Sequence, residues 1–139
     1  RGVITYASVY DDTPYSFENG KAWPKNANGI YHGLSTMSYA MANSTNTISL
    51  KILDDLGLSH SFYFLRDFLH LDDLVEEGKD KNGAFITDMD YAALALGQLN
   101  YGVSVRDITA AYSIFADGGI YHAPRSYSLV KNSYSVGTS

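Results

Sequence analysis

The sequence predicts a mainly α fold with an irregular N-terminal arm and a short strand near the C-terminus. Beyond residue 35, apolar residues recur at helical spacing in several segments, and Ser, Asn or Gly stands at the segment ends. Residues 1–33 are instead rich in Tyr, Pro, Gly and Asn and show little periodicity. The stretch "RSYSLVKNSYSV" after Pro124 alternates weakly between polar and apolar residues, which suits a strand. At 139 residues, 45% hydrophobic and 18% charged, the chain suits one compact domain with a real core.

In chain order, "PKNANG" at 24–29 is turn chemistry that closes the arm. Ser35 is a plausible N-cap for a helix over 36–42, with Met37, Ala40 and Met41 on one face. A second helix carries Ile48, Ile52, Leu53 and Leu56 inward, and Gly57 stands where a left-handed C-cap would sit. A third runs from Ser61 to about His70 with Phe64, Leu65, Phe68 and Leu69 inward. "DDLVEEGKDKNG" at 72–83 reads as a solvated loop. Residues 88–100 begin as helix and turn at Gly97. Ser104 and Asp107 form a capping box with Asp in place of Glu, opening a helix whose Ile108, Ala111, Tyr112 and Phe115 share a face. Gly118-Gly119 stops it.

Charge and composition exclude several functions. A net charge of -5 with 10 scattered basic residues is wrong for a nucleic-acid backbone, which needs clustered Lys and Arg. With no Cys there are no disulfides, thiolate nucleophiles or thiolate metal sites. The four His show no metal-ligand spacing, and no cofactor motif is present. "ADGGIYH" closes a helix rather than opening one, so it is not a phosphate loop. The carboxylate pairs at 11–12, 54–55, 72–73 and 88/90 read as solvated or capping groups, although paired carboxylates also serve glycoside hydrolysis. The aromatic arm reads as packing against the helices, with a carbohydrate or peptide platform as the functional alternative. The first residue is Arg1, without an initiator Met, which reads as a piece cut from a longer protein.

The candidate site is a polar island, Asn43-Ser44-Thr45-Asn46, between two helices. On local chemistry it is a helix-to-helix corner supplied with caps. The alternative is a hydroxyl that relays a proton and, two residues on, an amide that donates and accepts hydrogen bonds. The flanks favour that alternative. "PKNANGIYHGLSTMSYAMANSTNTISLKILDDLG" (24–57) resembles the middle of the penicillin-binding transpeptidase domain of bifunctional class A proteins. The matching positions are Pro24, Asn26, Gly33, Thr36, Ala40, Ser44, Asn46 and Leu56-Gly57. "LALGQLNYGVSVRDITAAYSIFADGGIYHAP" (94–124) is similar to the family's second block, with Gln98 and Asp117 as departures, and "GVITYASVYDDTP" (2–14) to the stretch after the nucleophile helix.

The resemblance implies a fold and a chemistry. The fold is the helical lobe of a penicillin-binding/β-lactamase-like transpeptidase domain. The family's motif set is Ser-x-x-Lys, Ser-x-Asn and Lys-Thr-Gly. Position by position, Ser44 is implied to be the proton-shuttling hydroxyl and Asn46 the substrate-orienting amide. The implied partners are D-Ala-D-Ala stem peptides of peptidoglycan and β-lactams, and the implied location is the extracytoplasmic face of a bacterial membrane to which the parent is anchored. Ser128-Leu129-Val130-Lys131 spells the nucleophile motif, but it follows Ser-x-Asn and lacks a helical face to bring Ser and Lys together. Lys81-Asn82-Gly83 imitates Lys-Thr-Gly inside a charged loop. Residues 1–139 therefore read as a partial domain between the two outer motifs, inactive by itself. A rival reading is a non-catalytic binding or β-lactam-sensor module of the same family.

Overall fold

The structure is a computed structural model that describes residues 4–127. The weak C-terminal strand and Ser128–Lys131 lie outside the described residues.

The N-terminal arm is not irregular, which corrects the sequence expectation. It contains β1 (Val9–Asp12), β2 (Ser16–Glu18), β3 (Lys21–Trp23) and β4 (Gly33–Thr36). β2 and β3 form a hairpin in which Glu18 faces Lys21 across Asn19-Gly20. Asn19 and Gly20 both take positive φ, 51° and 76°, as the twisted turn of a tight hairpin requires. β1 pairs antiparallel with β4, setting Val9 opposite Thr36 and Asp12 opposite Gly33. Asp12 and residues 33–36 are thereby delivered to the start of the helices.

Helix α1 (Met37–Ala42) is capped by Thr36, whose Oγ1 accepts from the Tyr39 amide at 3.2 Å. Ser35, the expected cap, is instead buried in β4, and its hydroxyl donates to the Gly33 carbonyl. Helix α2 (Asn46–Leu56) is wedged between β1 and α4 (Tyr91–Leu96), and so buries Ile48, Leu50 and Leu53 together. Leu56, expected inside, is exposed at the end of α2, and Ile52 is half-buried. Gly57 ends α2 with φ 93° and ψ 130°, an extended conformation of positive φ open to glycine, and α3 (Leu58–Tyr63) starts directly after it.

A π-helical segment over Phe64–Phe68 continues α3, closed by the Leu69 amide on the Phe64 carbonyl at 3.1 Å. Leu65 and Leu69 turn inward with Phe62. Phe64 and Phe68 fall one position off that stripe and stack on each other at 5.1 Å on the outside, which corrects their assignment to the core. The 72–83 stretch is likewise more than a solvated loop. Leu74 is buried, and β5 (Gly78–Lys79) pairs with β6 (Phe85–Ile86). Lys81-Asn82-Gly83 is the connecting turn, with Asp80 accepting from the amides of Asn82 and Ala84.

Helix α4 is capped by Asp90 and ends in a left-handed Gly97. Helix α5 (Val105–Tyr112) opens on the expected Ser104 cap, whose Oγ accepts from the Asp107 amide at 3.1 Å. It continues as a short 3₁₀ turn, Ser113–Phe115. The tighter turn carries Ile114 to the core and Phe115 outward, so Tyr112 and Phe115 pair edge-on in solvent instead of packing inside. Phe62, Leu69, Leu71, Leu74 and Ala111 make one core cluster, joined by Leu94, Leu99, Val103 and Ile114. Helices and the loops between them thus share the core, and the short antiparallel ribbons further qualify the mainly α expectation. Among the described residues no helix is long and apolar enough to cross a membrane.

Candidate functional site

The corner between α1 and α2 is built from the end of α1. The Thr45 amide donates back to the Ala40 carbonyl at 3.0 Å, and the Ser44 amide to Met41 at 3.3 Å. These two bonds form a Schellman motif with Ser44 at the left-handed position that glycine usually fills. Ser44 accordingly has φ 49°. A non-glycine residue held there stores backbone strain, and such strain clusters at functional sites. Its side chain is exposed, and among the described residues nothing engages its hydroxyl. Asn43 is the C-cap, and its Nδ2 donates to the Tyr39 carbonyl at 2.9 Å.

Asn46 is the first residue of α2 and is tied down twice. Its amide N–H donates to Asn26 Oδ1 at 3.0 Å, and its Nδ2 donates to the Lys25 carbonyl at 2.8 Å. Thr45, the N-cap, makes no side-chain capping bond, so Asn26 provides the missing acceptor from a distant segment.

Beneath the corner lies Asp12, fully buried. Its Oδ1 accepts from Asn26 Nδ2 at 2.7 Å and from Thr47 Oγ1 at 2.5 Å. Its Oδ2 accepts from the His32 amide at 2.9 Å and lies 3.2 Å from His32 Nδ1. Burial pushes this carboxyl upward, but the bonds from Thr47, Asn26 and His32 outweigh it and hold Asp12 below the usual carboxylate range. Lys51 of α2 adds a further tie, donating to the Asp11 carbonyl at 2.6 Å and to Thr13 Oγ1 at 3.0 Å. The "DDTP" turn is therefore structural, and Asp12, expected to be solvated or capping, is instead buried as the acceptor of this cluster.

A cleft of about 100 Å³ opens beside the corner, lined by Asn26, Asn28, His32, Tyr39, Asn43 and Thr45. Ser44 and Asn46 are not among its walls. Small-molecule pockets usually exceed about 300 Å³, so this cleft does not enclose a peptide by itself. The chemistry available at the corner is an exposed hydroxyl and, two residues on, a fixed amide whose Oδ1 is left to accept.

Asp72 and Asp73 are exposed, as expected, and Asp54, Asp55, Asp88 and Asp90 have structural work. Asp54 accepts from Tyr91 Oη at 2.6 Å, which pushes that phenol up, and Asp55 accepts from Tyr10 Oη at 2.8 Å. Asp88 is buried and accepts from the Val75 and Asn100 amides, while Asp90 caps α4. None is left as a working acid–base pair. The sequence reading quoted Asn26 only as part of a family segment and gave His32, Lys51 and Thr47 no role. Their partners lie 14 to 40 residues away, and no local spacing reveals such pairs.

Residues 1–137 match the family model described as the penicillin binding protein transpeptidase domain. A relative, penicillin-binding protein 1A of Clostridium novyi (strain NT), is 34% identical over 134 residues, covering 91% of this chain and 14% of its own length. The protein of the same name from Clostridium tetani is 34% identical over 138 residues, covering 91% of this chain and 16% of its own. That of Neisseria meningitidis serogroup B is 28% identical over 121 residues, covering 84% and 13%. The chain thus spans only a small part of the relatives it matches, and through nearly all of its own length it belongs to the penicillin-binding protein transpeptidase domain family.

Proposed function

We propose that this chain is one wall of the active site of a serine-type D,D-transpeptidase. In this reading it is the helical segment between the family's nucleophile motif and its Lys-Thr-Gly strand. The complete protein binds penicillin and cross-links peptidoglycan stem peptides on the outer face of the bacterial membrane. A serine outside residues 1–139 attacks the D-Ala-D-Ala carbonyl, and the terminal D-Ala leaves as the acyl-serine forms. Ser44 passes the proton to the departing amine, and Asn46 holds the substrate amide through its own amide group. The segment by itself does not acylate, because it carries neither nucleophile nor carboxylate-binding strand in the family's order.

The observation that best supports this is Ser44: an exposed hydroxyl on strained backbone at a position where glycine would fold more easily. Family membership and the small share of the relatives covered support the rest.

The test is β-lactam acylation of the complete protein by stopped flow. Ser44→Ala and Asn46→Ala should each slow acylation by about 10²-fold or more, the usual size of a lost proton-transfer or orienting group. Wild-type rates in both variants would remove the corner from the site. Penicillin binding with no cross-linking of stem peptides would favour a sensor instead.

A further inference from the structure

The amide of Asn26 has no freedom left. Both hydrogens of its Nδ2 are donated, to Asp12 Oδ1 at 2.7 Å and to the Ile30 carbonyl at 2.9 Å, and its Oδ1 accepts the Asn46 amide at 3.0 Å. Turning the group over would set its oxygen against a carboxylate and a carbonyl, so the orientation is fixed. Asp12 is fixed in turn by Thr47 and His32. The neighbouring Lys25 carbonyl takes the Asn46 side chain at 2.8 Å. Consecutive residues of one strap therefore grip Asn46 by its backbone and by its side chain.

We propose that Asn26 is a positioning residue for the reaction, setting the direction in which Asn46 leaves α2 and, through the shared turn, the place of the Ser44 hydroxyl. This rests on the reading of Ser44 and Asn46 given above. Asn26 touches no reacting atom. It replaces a local N-cap with one anchored on a buried carboxylate, so the corner is registered to the β1–β4 ribbon as well as to its own helices.

The test uses the complete transpeptidase and separates binding of a β-lactam from the acylation rate constant at saturation, beside a thermal melt. Asn26→Ala should lower the saturating rate constant by about tenfold or more, as small misplacements do, with little change in binding. Thr47→Val is the control, because it also strips a bond from Asp12 yet leaves the partner of the Asn46 amide in place. It should keep the rate constant near wild type at a comparable loss of Tm.

Asn26→Asp keeps the acceptor for Asn46 but faces Asp12 with a second carboxylate, and regains a donor only on protonation. Relative to wild type, its rate constant should recover as pH falls, and this profile decides the matter should Asn26→Ala fail to fold. A wild-type rate in Asn26→Ala, an equal loss in Thr47→Val, or no relative recovery of Asn26→Asp at low pH would each overturn the proposal. Ser44→Ala run alongside keeps the readings apart. If it is slow while Asn26→Ala is normal, the site stands and the positioning role falls. If Ser44→Ala is also normal, the site itself is wrong.

Discussion

At the scale of the residue, the role proposed for Ser44 sets function against stability there. Relieving its left-handed strain should stabilise the chain even as it removes the hydroxyl, so Ser44→Gly is expected to gain about 0.5 kcal/mol net of glycine's unfolded-state entropy. Ser44→Ala should change stability by less than about 0.5 kcal/mol, because the hydroxyl caps nothing. Urea unfolding of both variants beside the acylation assay checks this: a stabilised, slow Ser44→Gly is the expected pair of results. Asp12 adds a pH dependence. Its folded pKa is depressed, so its contribution is complete above the unfolded value near 3.9 and disappears as pH falls below it toward the folded value. Melting curves from pH 7 down to about pH 3 should show wild type losing more Tm below about pH 4 than Asp12→Asn, which has no carboxyl to protonate there. Equal slopes would mean that Asp12 carries no charge worth protecting.

At the scale of the element, the helix signals in the sequence served well where they were local. The Ser104 cap and the Gly97 stop stand where spacing and cap chemistry put them, while the first helix is capped one residue later than expected, by Thr36 instead of Ser35. Ser104→Ala and Asp90→Ala should each cost about 1 kcal/mol, and Gly97→Ala about as much through its positive φ, all readable as a lowered urea midpoint with unchanged slope. The strands were missed for two reasons. Four or fewer residues give little room for alternation to register, and β1 and β4 pair across more than 20 residues. The β2–β3 hairpin was nonetheless legible, since Asn19-Gly20 is a strong turn signal standing between Phe17-Glu18 and Lys21-Ala22. The aromatic faces were misassigned because helical spacing leaves two adjacent stripes to choose from after Phe62. The π and 3₁₀ turns that settle the choice come from tertiary packing. For the proposed site, the family blocks pointed to Ser44 and Asn46, whereas the Asp12–Asn26–His32 support could only be seen once residues distant in sequence were brought together.

At the scale of the whole molecule, the described residues leave much apolar surface open. Phe115 is 80% exposed, Leu34 79% and Met41 75%, and the Phe64–Phe68 stack is also exposed. Exposed apolar side chains of this size favour association wherever they lie together. The isolated 139-residue chain is therefore expected to self-associate in sedimentation velocity and to bind a hydrophobic dye. Leu34→Glu with Phe115→Glu should reduce both without lowering Tm, and a large fall in Tm would place these side chains in the core instead. The Asp12 cluster bears on the order of events during folding. Its bond to Thr47 closes 35 residues of chain, and the bond from Asn46 to Asn26 closes 20. Helical turns form within about a microsecond, but each closure must first overcome the entropy of its loop. Helical turns of α1 and α2 can thus come and go while the angle between them is still undecided, and the Ser-x-Asn corner takes its shape only when the segment carrying Asp12 and Asn26 docks. A nascent or nicked chain that lacks that docking carries the corner's sequence without its shape.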